Sequence, residues 1–194
     1  PLGEADFGAI PSRFPFILSL PQRRTEEILL RRFLEAGNGE LLRGVELTGL
    51  SLRESGATAV ARETAASGDA AAGSQERRFA ADFIIGCDGK HSPLRELAGL
   101  GARGHELADT FLMGDLRDET GLGATAHLFF TSRGSVESFP LPGDIRRWIV
   151  QTDRWYPEPP PGLLQEGVLE RTGINLGGSE ELWRSSFRTE RREA

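Results

Sequence analysis

The spacing of apolar positions changes repeatedly along the chain, and each change predicts an element. Residues 1–20 are interrupted by Pro11 and Pro15, with Pro21 just beyond, so Phe14, Phe16, Ile17, Leu18 and Leu20 belong to an extended or looped segment. From Thr25 the spacing becomes helical: Ile28, Leu29, Phe33 and Leu34 recur on one side, Glu26 and Glu27 suit the positive helix end, and Gly37 stops the run. Val45, Leu47, Leu50 and Leu52, followed by Ala57 to Arg62, predict two strands joined at Glu54-Ser55-Gly56. The break at Leu47-Thr48-Gly49-Leu50 predicts a bulge. Residues 64–75 are small and polar without periodicity, the composition of a mobile hairpin tip, and Glu76 to Ala80 resumes extended structure.

The continuous apolar run Phe83-Ile84-Ile85, ending at Gly86 and Cys87, reads as a strand buried on both faces. Asp88-Gly89 turns the chain. Ser92-Pro93 opens a helix of about two turns, because the hydroxyl accepts from a first-turn amide while proline at the next position loses no useful donor. Gly99-Leu100-Gly101-Ala102-Arg103-Gly104 fits G-x-G-x-x-G by letter but follows a helix and leads into a strand, the reverse of a dinucleotide loop. Beyond it the pattern has period two. Strands are expected over Leu107 to Leu116, His127 to Phe130, Val136 to Leu141 and Trp148 to Gln151, as an antiparallel meander with turns at Ser132-Arg133-Gly134 and Pro142-Gly143-Asp144. Pro157 to Gly162 is a stiff break. Leu163, Leu164, Val168 and Leu169 predict a helix ending near Gly173, and Trp183, Ser185 and Phe187 a last strand.

Composition narrows the partners. A chain of 194 residues can bury roughly 70% of its unfolded surface, enough for one domain or two small ones. Its apolar runs are far shorter than the ~20 residues that span a bilayer. With 23 basic and 29 acidic residues, a formal charge of -6 and no long basic block, nucleic acid and anionic membrane are poor partners. The single cysteine, Cys87, excludes an internal disulfide, reads as a small core residue and fits a reducing, cytoplasmic setting. His91, His105 and His127 lack metal-ligand spacing, so no metal site is expected. The chain begins Pro1-Leu2-Gly3 with neither initiator methionine nor signal segment and reads as cut from something longer.

Asp88-Gly89, with Ser92 three residues beyond the glycine and Arg95 three beyond that, after a segment ending in Gly86, resembles the DG fingerprint of the single-component flavin-dependent aromatic hydroxylases, the p-hydroxybenzoate hydroxylase-like family. By its letters the stretch also fits an ordinary strand-to-helix turn. Pro21-Gln22 and the following Thr-Glu-x-x-Leu-Leu run resemble the family segment in which a glutamine at a helix start contacts the flavin dinucleotide.

The resemblance implies an α/β chain, or α+β as an internal fragment: a partial FAD-binding domain over 1–100 and an antiparallel-sheet substrate domain over 101–194. The strand–Gly-rich loop–helix and the second FAD motif of the family are absent from the sequence. It implies FAD and NAD(P)H as cofactors, with Gln22, Asp88, Gly89, Ser92 and Arg95 toward the dinucleotide, and a phenolic or polycyclic aromatic ring hydroxylated with O₂. Candidate substrate contacts are Phe111, Met113, Phe129, Phe139 and Trp148 on the second sheet, although aromatic residues at alternating positions are also the ordinary content of a core. No general base can be named, and the fragment alone is expected to be inactive. Two alternatives stay open: a reductase or dehydrogenase of the same fold, and a non-catalytic module that binds a small aromatic.

Overall fold

The structure, a computed structural model, describes residues 2–64, 76–101 and 103–193. It is a mixed α/β chain whose strands form two sheets, one of three strands paired antiparallel and one of five, in which the first four strands in sheet order pair antiparallel. Two compact units result, Pro1–Arg32 with Glu106–Glu190, and Phe33–His105 with Arg191–Ala194. This division groups residues 1–32 with the second half of the chain, whereas the sequence reading divides the chain at residue 100.

Helix α1 (Gln22–Ala36) begins directly after Pro21, three residues earlier than expected. Its first turns carry i,i+3 and i,i+4 ion pairs from Arg24 and Arg23 to Glu27 at 2.6 and 3.1 Å. Its apolar residues Leu29 and Leu34 are exposed.

In the unit around residues 33–105, β1 (Val45–Arg53), β2 (Gly56–Glu63) and β3 (Glu76–Ala81) form the three-stranded sheet in the order β1-β2-β3. The register of β1 on β2 shifts between Leu47 and Gly49, the bulge that the broken alternation predicts. From residue 65 onward, the stretch expected as a hairpin tip lies outside the described residues. After β3 comes a correction. Phe83-Ile84-Ile85 forms no strand, Phe83 and Ile85 are 86% and 85% exposed, and Cys87 is exposed rather than in a core. An apolar run becomes a strand only when neighbouring edges supply partners for its amides and carbonyls, and none of the described strands pairs with it. Helix α2 (Pro93–Leu97) follows and packs against β1.

In the other unit, β4 (Arg103–Arg117), β5 (His127–Thr131), β6 (Gly134–Leu141), β7 (Ile145–Thr152) and β8 (Glu181–Glu193) are ordered β5-β6-β7-β4-β8. This corrects the expected simple meander: β4 pairs with β7 rather than with β5, leaving β5 at the edge. The 118–126 connection that makes this possible is tied down by Arg146, whose side chain has no exposed surface. Its guanidinium donates to Asp118 at 2.8 Å, to Ser138 Oγ at 2.9 Å, and to the carbonyls of Thr125 at 3.2 Å and of Gly123.

Helix α3 (Leu163–Thr172) lies across one face of this sheet and ends at Gly173, whose left-handed backbone (φ 75°) lets its amide reach Leu169 O. Leu164, Val168 and Leu176 pack there with Leu112, Leu116, Val136, Trp148 and Val150, each large aliphatic side chain contributing about 1.5–3 kcal/mol of burial. Close approach of helix and sheet needs a bare backbone at Gly114, where a Cβ would sit 2.5 Å from Leu164 Cδ2 and 3.2 Å from Trp183 O.

Candidate functional site

Two places collect most of the residues singled out by sequence. The first is the turn between β3 and α2. Residues 82–89 run out from the sheet without regular pairing, Gly89 takes a left-handed backbone (φ 77°), and Ser92 caps α2 by accepting from the Arg95 amide at 3.1 Å. The Asp88 carboxylate is already engaged by this turn, since the Leu94 amide donates to its Oδ2 at 3.0 Å. The Ser92 hydroxyl, and after it the Leu94 amide, hold Asp88 below the usual carboxylate range. Arg95 also turns inward and donates to the Lys90 carbonyl at 2.8 Å. Gly86 is required by the closeness of the turn, because a Cβ there would lie 2.8 Å from Leu94 Cδ2 and 3.3 Å from Asp88 Oδ1.

Beside the turn opens a cleft of about 800 Å³, walled by Leu50, Leu52, Ile84, Leu94 and Leu100 and edged by Arg53, Asp88 and Arg95. Gly89 faces open space, with nothing within 4 Å of the position a Cβ would take. The turn therefore presents a bare backbone at Gly89 next to an apolar cleft. Asp88 and Ser92 shape the loop, accepting from the Leu94 and Arg95 amides respectively. Beyond this turn, no glycine-rich loop among the described residues joins a strand to a helix N-terminus. Gln22 belongs to the other unit, where its amide donates to Glu26 at 2.7 Å across one turn of α1.

The second place is the face of the five-stranded sheet opposite α3. Because paired residues share a face, the registers build it row by row. One row runs Phe130, Ser135, Gln151, Phe111; the next Leu128, Glu137, Ile149, Met113; the third Phe139, Arg147, Asp115. Phe111 stacks on Phe187 from β8 with ring centroids 5.0 Å apart. Arg147 forms a bidentate pair with Asp115, at 2.7 and 2.9 Å, and lies over the Trp183 ring at 5.6 Å. Of the aromatic candidates, Phe111, Met113 and Phe139 stand on this open face. Trp148 and Phe129 stand on the opposite one: Trp148 has no exposed surface and Phe129 packs against the same core. Strand alternation separates the two sets but does not say which face a helix covers. The Asp115–Arg147 pair was not singled out by sequence, since it needs β4 beside β7, which are not successive strands.

Among the described residues, no cluster of histidine, cysteine and acidic groups could hold a metal, and no helix is long and apolar enough to cross a membrane.

The 12-dehydrotetracycline 5-monooxygenase/anhydrotetracycline 6-monooxygenase of Streptomyces rimosus is 30% identical over 203 residues, covering 97% of this chain and 38% of that protein. The 6-methylpretetramide 4-monooxygenase of Streptomyces rimosus is 30% identical over 196 residues, covering 97% and 33%. The chain thus spans little more than a third of the length of these relatives. Among solved structures, an aromatic hydroxylase from angucycline biosynthesis matches with a TM-score of 0.69 at 25% identity, over 97% of this chain and 37% of that one. The p-nitrophenol 4-monooxygenase of Pseudomonas putida shares the fold, with a TM-score of 0.72 at 14% identity over 94% and 46%. The FAD binding domain family model matches residues 4–192, nearly the whole chain, and the protein belongs to that family.

Proposed function

We propose that the chain is part of a flavin-dependent monooxygenase acting on a phenolic or polycyclic aromatic ring with NAD(P)H and O₂. In the overall reaction one oxygen atom converts a ring C–H to C–OH and the other leaves as water. The two electrons come from NAD(P)H, which ends as NAD(P)⁺. FAD, when bound, supplies the redox chemistry, and the protein supplies binding, orientation and exclusion of water. The DG turn would hold one side of the dinucleotide through the bare backbone at Gly89. The open sheet face, with Phe111, Met113 and Phe139, would form the apolar floor against which a flat ring is held.

The observation that carries this reading is the DG turn itself: a closed loop at the mouth of a large apolar cleft, with its glycine facing outward. The relatives that align along nearly the whole chain are named as monooxygenases of 12-dehydrotetracycline, anhydrotetracycline and 6-methylpretetramide, which supports the monooxygenase reading. The test uses the chain extended to the length of those relatives and loaded with FAD. Addition of 1-naphthol should couple NAD(P)H oxidation to O₂ uptake and yield a dihydroxylated product. NAD(P)H oxidation without O₂ uptake would point to a reductase. Aromatic-induced thermal stabilisation of flavin-free protein, with no turnover at all, would point to a binding module.

A further inference from the structure

Glu137 stands on the open sheet face in β6, directly between Leu128 of the edge strand and Ile149 of β7, with Met113 next in the same row. It is half-buried, and among the described residues its carboxylate makes no hydrogen bond and no ion pair. The other charged groups of this face do not share that condition. Asp115 and Arg147 are joined to each other, and Arg117 reaches Glu180 at 3.3 Å and the Gly143 carbonyl at 3.2 Å. Flanked by Leu128, Ile149 and Met113, the carboxylate has water alone to donate to its oxygens. Whatever covers the face removes that water, and a carboxylate buried without a donor is strongly disfavoured. The occupant must therefore bring a hydrogen-bond donor to this one point while presenting a flat apolar surface to Phe111, Phe130, Phe139 and Ile149. A phenol has this pattern: one O–H on the ring edge, two apolar ring faces and no charge. An arene carboxylate would place like charges together.

We propose that Glu137 is a specificity-determining residue that accepts a hydrogen bond from a hydroxyl group of the aromatic substrate, so that the site selects phenols over their methyl ethers and over arene carboxylates. The assignment rests on the proposed function. It concerns recognition alone, since no bond to carbon is made or broken at Glu137.

The experiment compares binding of 1-naphthol, 1-methoxynaphthalene and 1-naphthoate to the complete FAD-loaded protein by calorimetric titration, in wild type and in Glu137→Leu. Leucine suits a sheet face already lined by Leu128 and Ile149, so FAD content and melting temperature should be unchanged. Wild type should bind 1-naphthol about 10-fold or more tightly than 1-methoxynaphthalene, the size expected for a hydrogen bond to a charged acceptor. Glu137→Leu should bring that ratio to within about 2-fold by weakening naphthol binding, and should relieve the rejection of 1-naphthoate. Glu137→Gln, which keeps an acceptor oxygen without the charge, should fall between. A full naphthol preference retained in Glu137→Leu would overturn the assignment while leaving the monooxygenase reading intact. A marked fall in melting temperature would also overturn it, by showing that a cation of the protein itself meets the carboxylate. Wild type that neither binds 1-naphthol nor oxidises NAD(P)H in its presence would remove the proposed function, and this inference with it.

Discussion

Ser92 is 7% exposed, and its hydroxyl holds the Arg95 amide at the start of α2. Replacement by alanine leaves a first-turn amide without its partner, and Ser92→Ala should lower stability by about 1 kcal/mol. A urea denaturation midpoint equal to that of wild type would show that the cap contributes nothing. Asp118 carries a larger effect, because it neutralises Arg146, which is fully buried. Removing one member of such a pair strands the other, and Asp118→Ala should cost about 3 kcal/mol. The pair also predicts a pH dependence. Burial is the largest single influence on Asp118 and raises its pKa, yet bonds from the Thr120 hydroxyl, Arg146 and the Thr120 amide outweigh it and leave the net value lowered. A carboxylate whose folded pKa lies below its unfolded value of about 3.9 stabilises the fold above that pH, and the contribution disappears as pH falls through the folded value. Denaturant melts from pH 7 down to 3 should therefore show a loss below about pH 4 that is smaller in Asp118→Asn.

At the scale of elements, the seat of α3 on the five-stranded sheet depends on what is missing from position 114. A methyl group there meets Leu164 Cδ2 at 2.5 Å, which a rotamer change could relieve, but also the Trp183 carbonyl at 3.2 Å, which belongs to the backbone of β8. Gly114→Ala should destabilise by about 1–3 kcal/mol, the usual range for an overfilled core. Because part of the strain comes from the leucine, combining it with Leu164→Val should cost less than the sum of the two single changes. Additive thermal melts would place the strain wholly on the backbone contact. Sequence carried the regular elements well: the period of Ile28 to Leu34 marks α1, and the broken alternation at Leu47 to Leu50 marks the bulge. It misplaced Phe83-Ile84-Ile85 because hydrophobicity reports a tendency to be covered, whereas a strand exists only where a second edge completes its hydrogen bonds.

For the whole molecule, the expectation concerns flavin. In the proposed function the DG turn meets a dinucleotide from one side only, and beyond that turn the described residues hold no glycine-rich helix start that would oppose the pyrophosphate charge. The chain by itself should purify without flavin, and the same chain extended to the length of its relatives should carry FAD. Absorbance near 450 nm and flavin released on denaturation would decide the matter; stoichiometric flavin in the shorter chain would require a pyrophosphate site within these residues.

What sequence alone determined was local. Ser92 next to Pro93 specifies a helix start through one hydroxyl and one fixed φ. Asp88-Gly89 specifies a turn, and period-two alternation separates Phe111 and Met113 from Leu112 and Gly114 without any knowledge of neighbours. Tertiary structure decided what depends on residues distant in the chain. It chose which sheet face α3 covers, and so buried Trp148 and Phe129 while leaving Phe111, Met113 and Phe139 open. It set β4 beside β7, and only that adjacency joins Asp115 to Arg147. Alternation has a period of two and therefore two equivalent phases. The choice between them is made by what packs against the sheet, and no window of consecutive residues contains that information.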